Sequence, residues 1–152
     1  HDRKGSIGFV LNKPMLYSAS DLVDELSGVH FPVYVGGPVE TNQLYYIHTH
    51  PELDDALHIA NGIYWGGDFA MLTRMLKKQL ILPEEIRFFA GYSGWSEGQL
   101  ERELEENTWM VGDITREQFF KLQDKQMWEQ SMSELGGRYR IWANFPKDPI
   151  MN

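Results

Sequence analysis

Two short stretches carry the residue types that do chemistry. His48-Thr49-His50-Pro51 places imidazoles on alternate positions. Alternate residues of a strand face one side, so the pair could offer two nitrogens to a zinc ion, with Asp54, Asp55 and His58 close behind to complete a ligand set. The second stretch, Gly91-Tyr92-Ser93-Gly94-Trp95, nearly spells the G-x-S-x-G turn that exposes a nucleophilic serine between a strand and a helix. Its second glycine falls one place early, and Trp95 takes the position where two backbones must approach closely. All five histidines (His1, His30, His48, His50, His58) precede Ser93. In the fold that uses this turn the histidine follows the serine, although other triads run in other orders. A serine nucleophile is therefore poorly supported.

The metal reading weakens on closer inspection. His-x-His-Pro resembles the zinc motif of JAMM-type isopeptidases, which continues with a serine eight residues on and an aspartate three further; those places here hold His58 and Asn61. A histidine pair near a turn is the plainer account. An anion nest at 91–98 is also conceivable, but Glu97 and Glu101 already stand where the positive end of a following helix would hold an anion. Ser96 with Gln99 has capping-box spacing, Leu100 and Leu104 share an inward face, and Glu97, Glu101, Glu103, Glu105 and Glu106 against Arg102 leave an acidic outer one. On these grounds 88–109 reads as a strand-to-helix joint fixed by aromatic packing.

These residues must be carried by a frame that the composition constrains. The 152 residues are 42% apolar and 13% aromatic, enough for one domain with a real core. No run of about 18 uncharged apolar residues occurs, which excludes a spanning helix, and the first residues have no apolar leader segment. The absence of cysteine excludes disulfides and thiolate chemistry and fits a reducing compartment, so a cytoplasmic location is expected. Fourteen basic against 22 acidic side chains give a net charge of −8 and a pI near 5.0, which disfavours direct nucleic-acid binding. The densest cationic group, Arg74, Lys77 and Lys78, is too small for a phosphate track.

Local patterns predict a strand over 6–12 closed by Pro14, a short helix over 21–28 capped by Ser20, a strand over 32–35 and a glycine turn at 36–38. A longer strand over 43–50 follows, then a hairpin of 56–60 and 63–65 through Asn61-Gly62. Asp68 caps a helix reaching residue 78, with Phe69, Leu72, Met75 and Leu76 as its apolar stripe. Next come a strand over 86–90, a helix over 97–107 and a strand over 109–111. Thr115 and Gln118 form a second capping box, a helix over 124–135 ends at Gly136-Gly137, and a strand over 139–143 closes the chain. Strands in runs with interspersed helices imply an α+β fold with a mixed sheet.

The segments HDRKGSIGFVLNKP, VYVGGPVETNQLYYIH, GIYWGGDFAML, RFFAGYSGWSEGQLERELEENTW and MWEQSMSELGG together resemble the YqgE/AlgH family of bacterial proteins across nearly the whole chain. The resemblance implies an α+β domain with a branched mixed sheet, part of it curled into a small barrel and flanked by helices. It implies one domain over residues 1–152 that lacks the first strand of the family. It also implies an uncharacterised cytoplasmic protein bearing a transcriptional-regulator label, with no established catalytic residue or cofactor. The family signature falls on Asn12, Pro14, Gly36, Gly37, Pro38, Gly66, Gly67, Asp68, Gly91, Tyr92, Gly94, Trp95, Gly98, Gln99, Leu100 and Glu101. Most of these set backbone shape.

The expectation is accordingly a non-enzymatic regulator or adaptor without cofactor. It would act through an unidentified protein partner, away from membranes and nucleic acid, as a monomer or weak homodimer. Its ligand or partner cleft would lie where the Gly36-Gly37 and 91–101 turns converge, lined by Tyr92, Trp95, Gln99 and Glu101. The alternative is a metal-dependent hydrolase using His48, His50, Asp54 and His58.

Overall fold

A computed structural model describes residues 1–121 and 124–137 of the chain. The strand expected over 139–143 lies outside the described residues. Seven strands form one mixed sheet: β1 (Gly5–Gly8), β2 (Pro14–Ser18), β3 (Pro32–Val35), β4 (Val39–His48), β5 (Leu57–Ala60), β6 (Ile63–Trp65) and β7 (Ile86–Ser96). The helices are α1 (Ala19–Leu22), α2 (Phe69–Lys77), α3 (Gln99–Glu105), α4 (Arg116–Lys121) and α5 (Asp124–Leu135). The strand order is β2-β3-β7-β4-β6-β5, with β1 attached to β7 outside that path. The expected α+β fold with a branched, mixed sheet is what forms.

β7 organises the molecule, and its composition explains why. Ile86, Arg87, Phe88 and Phe89 are buried in succession, the pattern of a strand covered on both faces rather than one. Phe88 belongs to a core with Leu26, Val33, Tyr46, Leu72 and Leu76, and Phe89 to a second core with Tyr34, Ile47, Phe119 and Phe120. Helix α2 therefore covers one face of the sheet and α4 the other. Arg87, also buried, donates to the Leu11 carbonyl at 2.7 Å and lies 4.6 Å from the centroid of the Tyr34 ring. A charge in that position is tolerated because it is hydrogen-bonded and stacked.

The sheet branches at Gly91. β7 runs parallel to β3 up to Ala90 and antiparallel to β4, with a register shift, as far as Tyr92; Ser93 to Ser96 then pair with Gly8 to Gly5 of β1. Gly91 has φ +70°, and a Cβ there would meet the Val39 carbonyl oxygen at 2.6 Å, so both the dihedral and the space demand glycine.

Several local expectations hold. Asp68 accepts from the Met71 amide at 2.5 Å and starts α2, whose Leu72 and Leu76 are buried. Asn61 and Gly62 take φ +51° and +72°, the dihedrals of a two-residue hairpin turn between β5 and β6. Thr115 and Gln118 exchange the two bonds of a capping box.

Others are corrected. The first helix is the single turn of α1, N-capped by Ser18, whose amide donates to the Asp21 carboxylate, rather than by Ser20, and a 3-10 turn, Asp24–Leu26, follows it. β1 stops at Gly8, and Pro14 opens an edge strand instead of ending one, a place where its missing N–H costs nothing. Residues 109–111 form no strand; the Trp109 indole is drawn to the Glu103 carboxylate instead.

Candidate functional site

The strand-to-helix joint expected within 88–109 falls at 96–99, later than the glycines at 91 and 94 suggest. β7 continues through them to Ser96, since β1 supplies the ladder that its glycines alone would not hold. The change of direction is delayed to Gly98, which takes φ +69° and caps α3; Gln99 reaches back to accept from the Ser96 amide at 3.0 Å. Ser93 thus lies within a paired strand opposite Gly8, not at an exposed elbow.

The two turns expected to form a cleft do meet. The Gly36 amide donates to the Ala90 carbonyl at 2.9 Å, and a Cβ on Gly37 would lie 2.2 Å from the carbonyl carbon of Tyr92. Backbone rests on backbone, so the open space is elsewhere. A cleft of about 530 Å³ is lined by Tyr92, Gly94, Trp95 and Ser96 of β7, by His1, Asp2 and Lys4 to Ile7, by Leu57 of β5 and by Trp65 of β6. Of the six residues expected there, Tyr92 and Trp95 line it; Gly36 and Gly37 form the contact behind β7.

Gln99 and Glu101 have other engagements. The Gln99 amide donates to Glu103 at 2.9 Å, and Glu101 lies 3.5 Å from Nε2 of His1 at the cleft's edge. Glu103 also accepts from the indoles of Trp109 and Trp95, at 2.6 and 3.0 Å. These donors, Trp109 foremost, hold its carboxyl below the usual range. The trio fixes the Trp95 ring against α3, so this cleft wall is positioned before anything binds. Ile7, Leu57 and Trp65 had no signal in the sequence, because chain topology alone brings β1, β5 and β6 to the same opening.

The histidine pair is built for structure. His48 is fully buried at the end of β4, and its Nε2 donates to the Gly66 carbonyl at 2.8 Å while Nδ1 accepts from the His50 amide at 3.1 Å. Both nitrogens are thereby spent on backbone groups, which fixes a neutral tautomer. The ring stacks on Tyr64 and His50, with centroids 5.9 and 6.3 Å away. His50 instead reaches Glu52 through Nδ1 at 2.8 Å, with Glu85 at 3.4 Å from Nε2. His58 packs against the other partner of this stack, Tyr64, and Asp54 uses its backbone carbonyl to accept from the Asp68 amide. Among the described residues no three His, Asp or Glu side chains form a group that could hold a metal ion.

Burial pushes the pKa of His48 below its ordinary value, outweighing the bond to Gly66. The unfolded chain then takes up this proton before the folded one does. Stability from this group is full above about pH 6.5 and is lost as the pH falls from there toward the folded value. A His48→Gln variant is expected to show a smaller loss of urea midpoint between pH 7.5 and 5.5 than the parent. An unchanged loss would assign that acid sensitivity to other groups.

A sequence profile described as AlgH-like matches residues 1–140. A UPF0301 protein of Chlorobium limicola is 41% identical over all of this chain and 82% of its own length. One from Bacteroides thetaiotaomicron is 36% identical, again over the whole chain and 78% of its own length. Among solved structures, the solution structure of AlgH from Pseudomonas aeruginosa superposes with a TM-score of 0.74 at 22% identity, covering 97% of this chain and 82% of that one. The crystal structure of DIP2367 from Corynebacterium diphtheriae gives 0.75 at 18% identity, covering 95% and 78%. At these identities the structural likeness speaks for the fold.

Proposed function

We propose that this chain, which belongs to the AlgH-like family, is a cytoplasmic regulator or adaptor that works through protein contacts rather than catalysis, with the β1–β7 cleft as its contact surface. One observation carries the reading. Among the described strands β1 pairs only with β7 and β5 only with β6, so apart from the Asp2–Gly5 bridge at the start of β1 each has an edge without a strand partner, and Ile7 of β1 and Leu57 of β5 both line the cleft. Main-chain edges beside aromatic walls suit an extended polypeptide segment: the edges supply backbone hydrogen bonds, and Trp65, Tyr92 and Trp95 supply anchoring pockets. No helix of the described residues is long and apolar enough to cross a membrane, and the net charge of −8 argues against a nucleic-acid partner. The metal-dependent alternative is less well supported, because His48 has no nitrogen left to offer.

Leu57 gives a clean test, since its side chain is exposed and a charge there leaves the cores intact. Affinity capture from the native cell with the parent should retain a defined protein partner. Leu57→Glu, with unchanged circular dichroism, should retain at least about tenfold less of it, as expected where a contact residue is replaced by a charge. Equal recovery by both proteins would place the contact surface elsewhere.

A further inference from the structure

A second cavity, about 470 Å³, opens between the loop 27–31, the C-terminal end of α2 and the segment 79–83. Its floor is apolar, made by Val29, Phe31, Leu76 and Ile81, and Leu82 stands half exposed at its rim. Lys77 is the one charged side chain in its lining, with Ser27 and Gln79 as polar neighbours. None of these three side chains bonds to another described residue. Gln79 holds φ +56°, and the amides of Gln79 and Leu80 return to Leu76 and Met75, which turns the chain sharply over the cavity mouth.

A cation in the last turn of α2 offsets the helix dipole, which accounts for Lys77 together with Arg74. The dipole does not account for a cavity beside that charge whose floor is formed by the core side chains Val29, Leu76 and Ile81. We propose that the cavity binds a small amphiphile bearing a single carboxylate, its chain on the Val29, Phe31 and Ile81 floor and its head on Lys77, Gln79 and Ser27. The volume is that of a small-molecule site, and an apolar lining with a few placed polar groups is the usual composition of one. The charge count sets the head group. A single lining cation matches one negative charge, while Glu84 and Glu85 immediately downstream and the net charge of −8 oppose a more highly charged one.

Octanoate is a suitable probe, below its micelle-forming concentration and at about 0.15 M salt, where long-range charge effects are screened. Amide resonances of Val29, Phe31, Gln79 and Ile81 should shift saturably. Lys77→Glu should weaken binding about tenfold or more, as loss of a charge-assisted bond does. Lys78→Glu, which alters the neighbouring cation outside the lining, should leave affinity within about twofold. Octanol should bind at least about tenfold more weakly than octanoate. The assignment is overturned if millimolar octanoate leaves these amides unmoved, if the shifts map to another surface, or if Lys77→Glu and octanol bind as the parent and octanoate do. None of these outcomes bears on the β1–β7 cleft, so the two proposals stand or fall separately.

Discussion

Gly37→Ala is expected to cost about 4 kcal/mol or more, a large part of the total stability of a domain this size. The added Cβ would lie 2.2 Å from the carbonyl carbon of Tyr92 and 2.3 Å from the amide nitrogen of Ser93. Overpacking in a core is usually relieved by side-chain movement and costs about 1–3 kcal/mol. Here the obstacle is backbone, and it is held twice: Tyr92 pairs with Val39 of β4, and Ser93 with Gly8 of β1. Neither can yield without breaking a ladder. Gly28→Ala is the matched control. Gly28 has φ +87° but nothing within 4 Å of its added Cβ, so only the dihedral penalty of about 1–2 kcal/mol applies. Urea unfolding of the two variants should therefore separate clearly. A Gly37→Ala midpoint no lower than that of Gly28→Ala would show that the backbone at Tyr92 and Ser93 can yield to an added methyl group.

Phe88→Ala should lose about 3–5 kcal/mol, the range for truncating a buried aromatic where neighbours cannot collapse into the space. Phe88 is 0% exposed, its Cα is in register with Val33 on one side and Tyr46 on the other, and its ring lies 6.4 and 6.2 Å from those of Phe31 and Tyr46. Val33 and Tyr46 lie in strands pinned on either side of β7, and Phe31 immediately precedes β3. Leu16→Ala, on edge strand β2 and 101% exposed, should change stability by no more than about 0.5 kcal/mol. Comparable losses at the two positions would mean that β7 is not the organising strand.

Those two substitutions also show where the sequence is mute. Leu16 and Phe88 both sit in apolar strand segments, and composition alone gives no reason to rank them. One lies at the end of the sheet order and the other in its middle, a difference made by which strands pair. The helix cap at Asp68, the Asn61-Gly62 turn and the Thr115–Gln118 box were legible because each depends on neighbours within four residues. The candidate site was only partly legible. Tyr92 and Trp95, named from the sequence, line the cleft, whereas Ile7, Leu57 and Trp65 come from three other strands and share no local pattern with them.

The 91–96 segment is the sharpest instance. Its glycines, serine and tryptophan look like a catalytic turn, and local reasoning gave a strand-to-helix joint over 88–109; the joint exists, but at 96–99, and 91–96 itself is strand. β1, some 90 residues distant in the chain, pairs with it and makes it strand. What the sequence by itself determined was the α+β class, the family, the helix caps at Asp68 and Thr115 and the exclusion of thiol chemistry, because these follow from residue type and short-range spacing. What only the tertiary structure decided was the branching of β7, the closed contact at Gly37, the commitment of both His48 nitrogens and the location of the two cavities. Each of those depends on which distant backbones touch, and hydrogen bonds and excluded volume between them act regardless of separation along the chain.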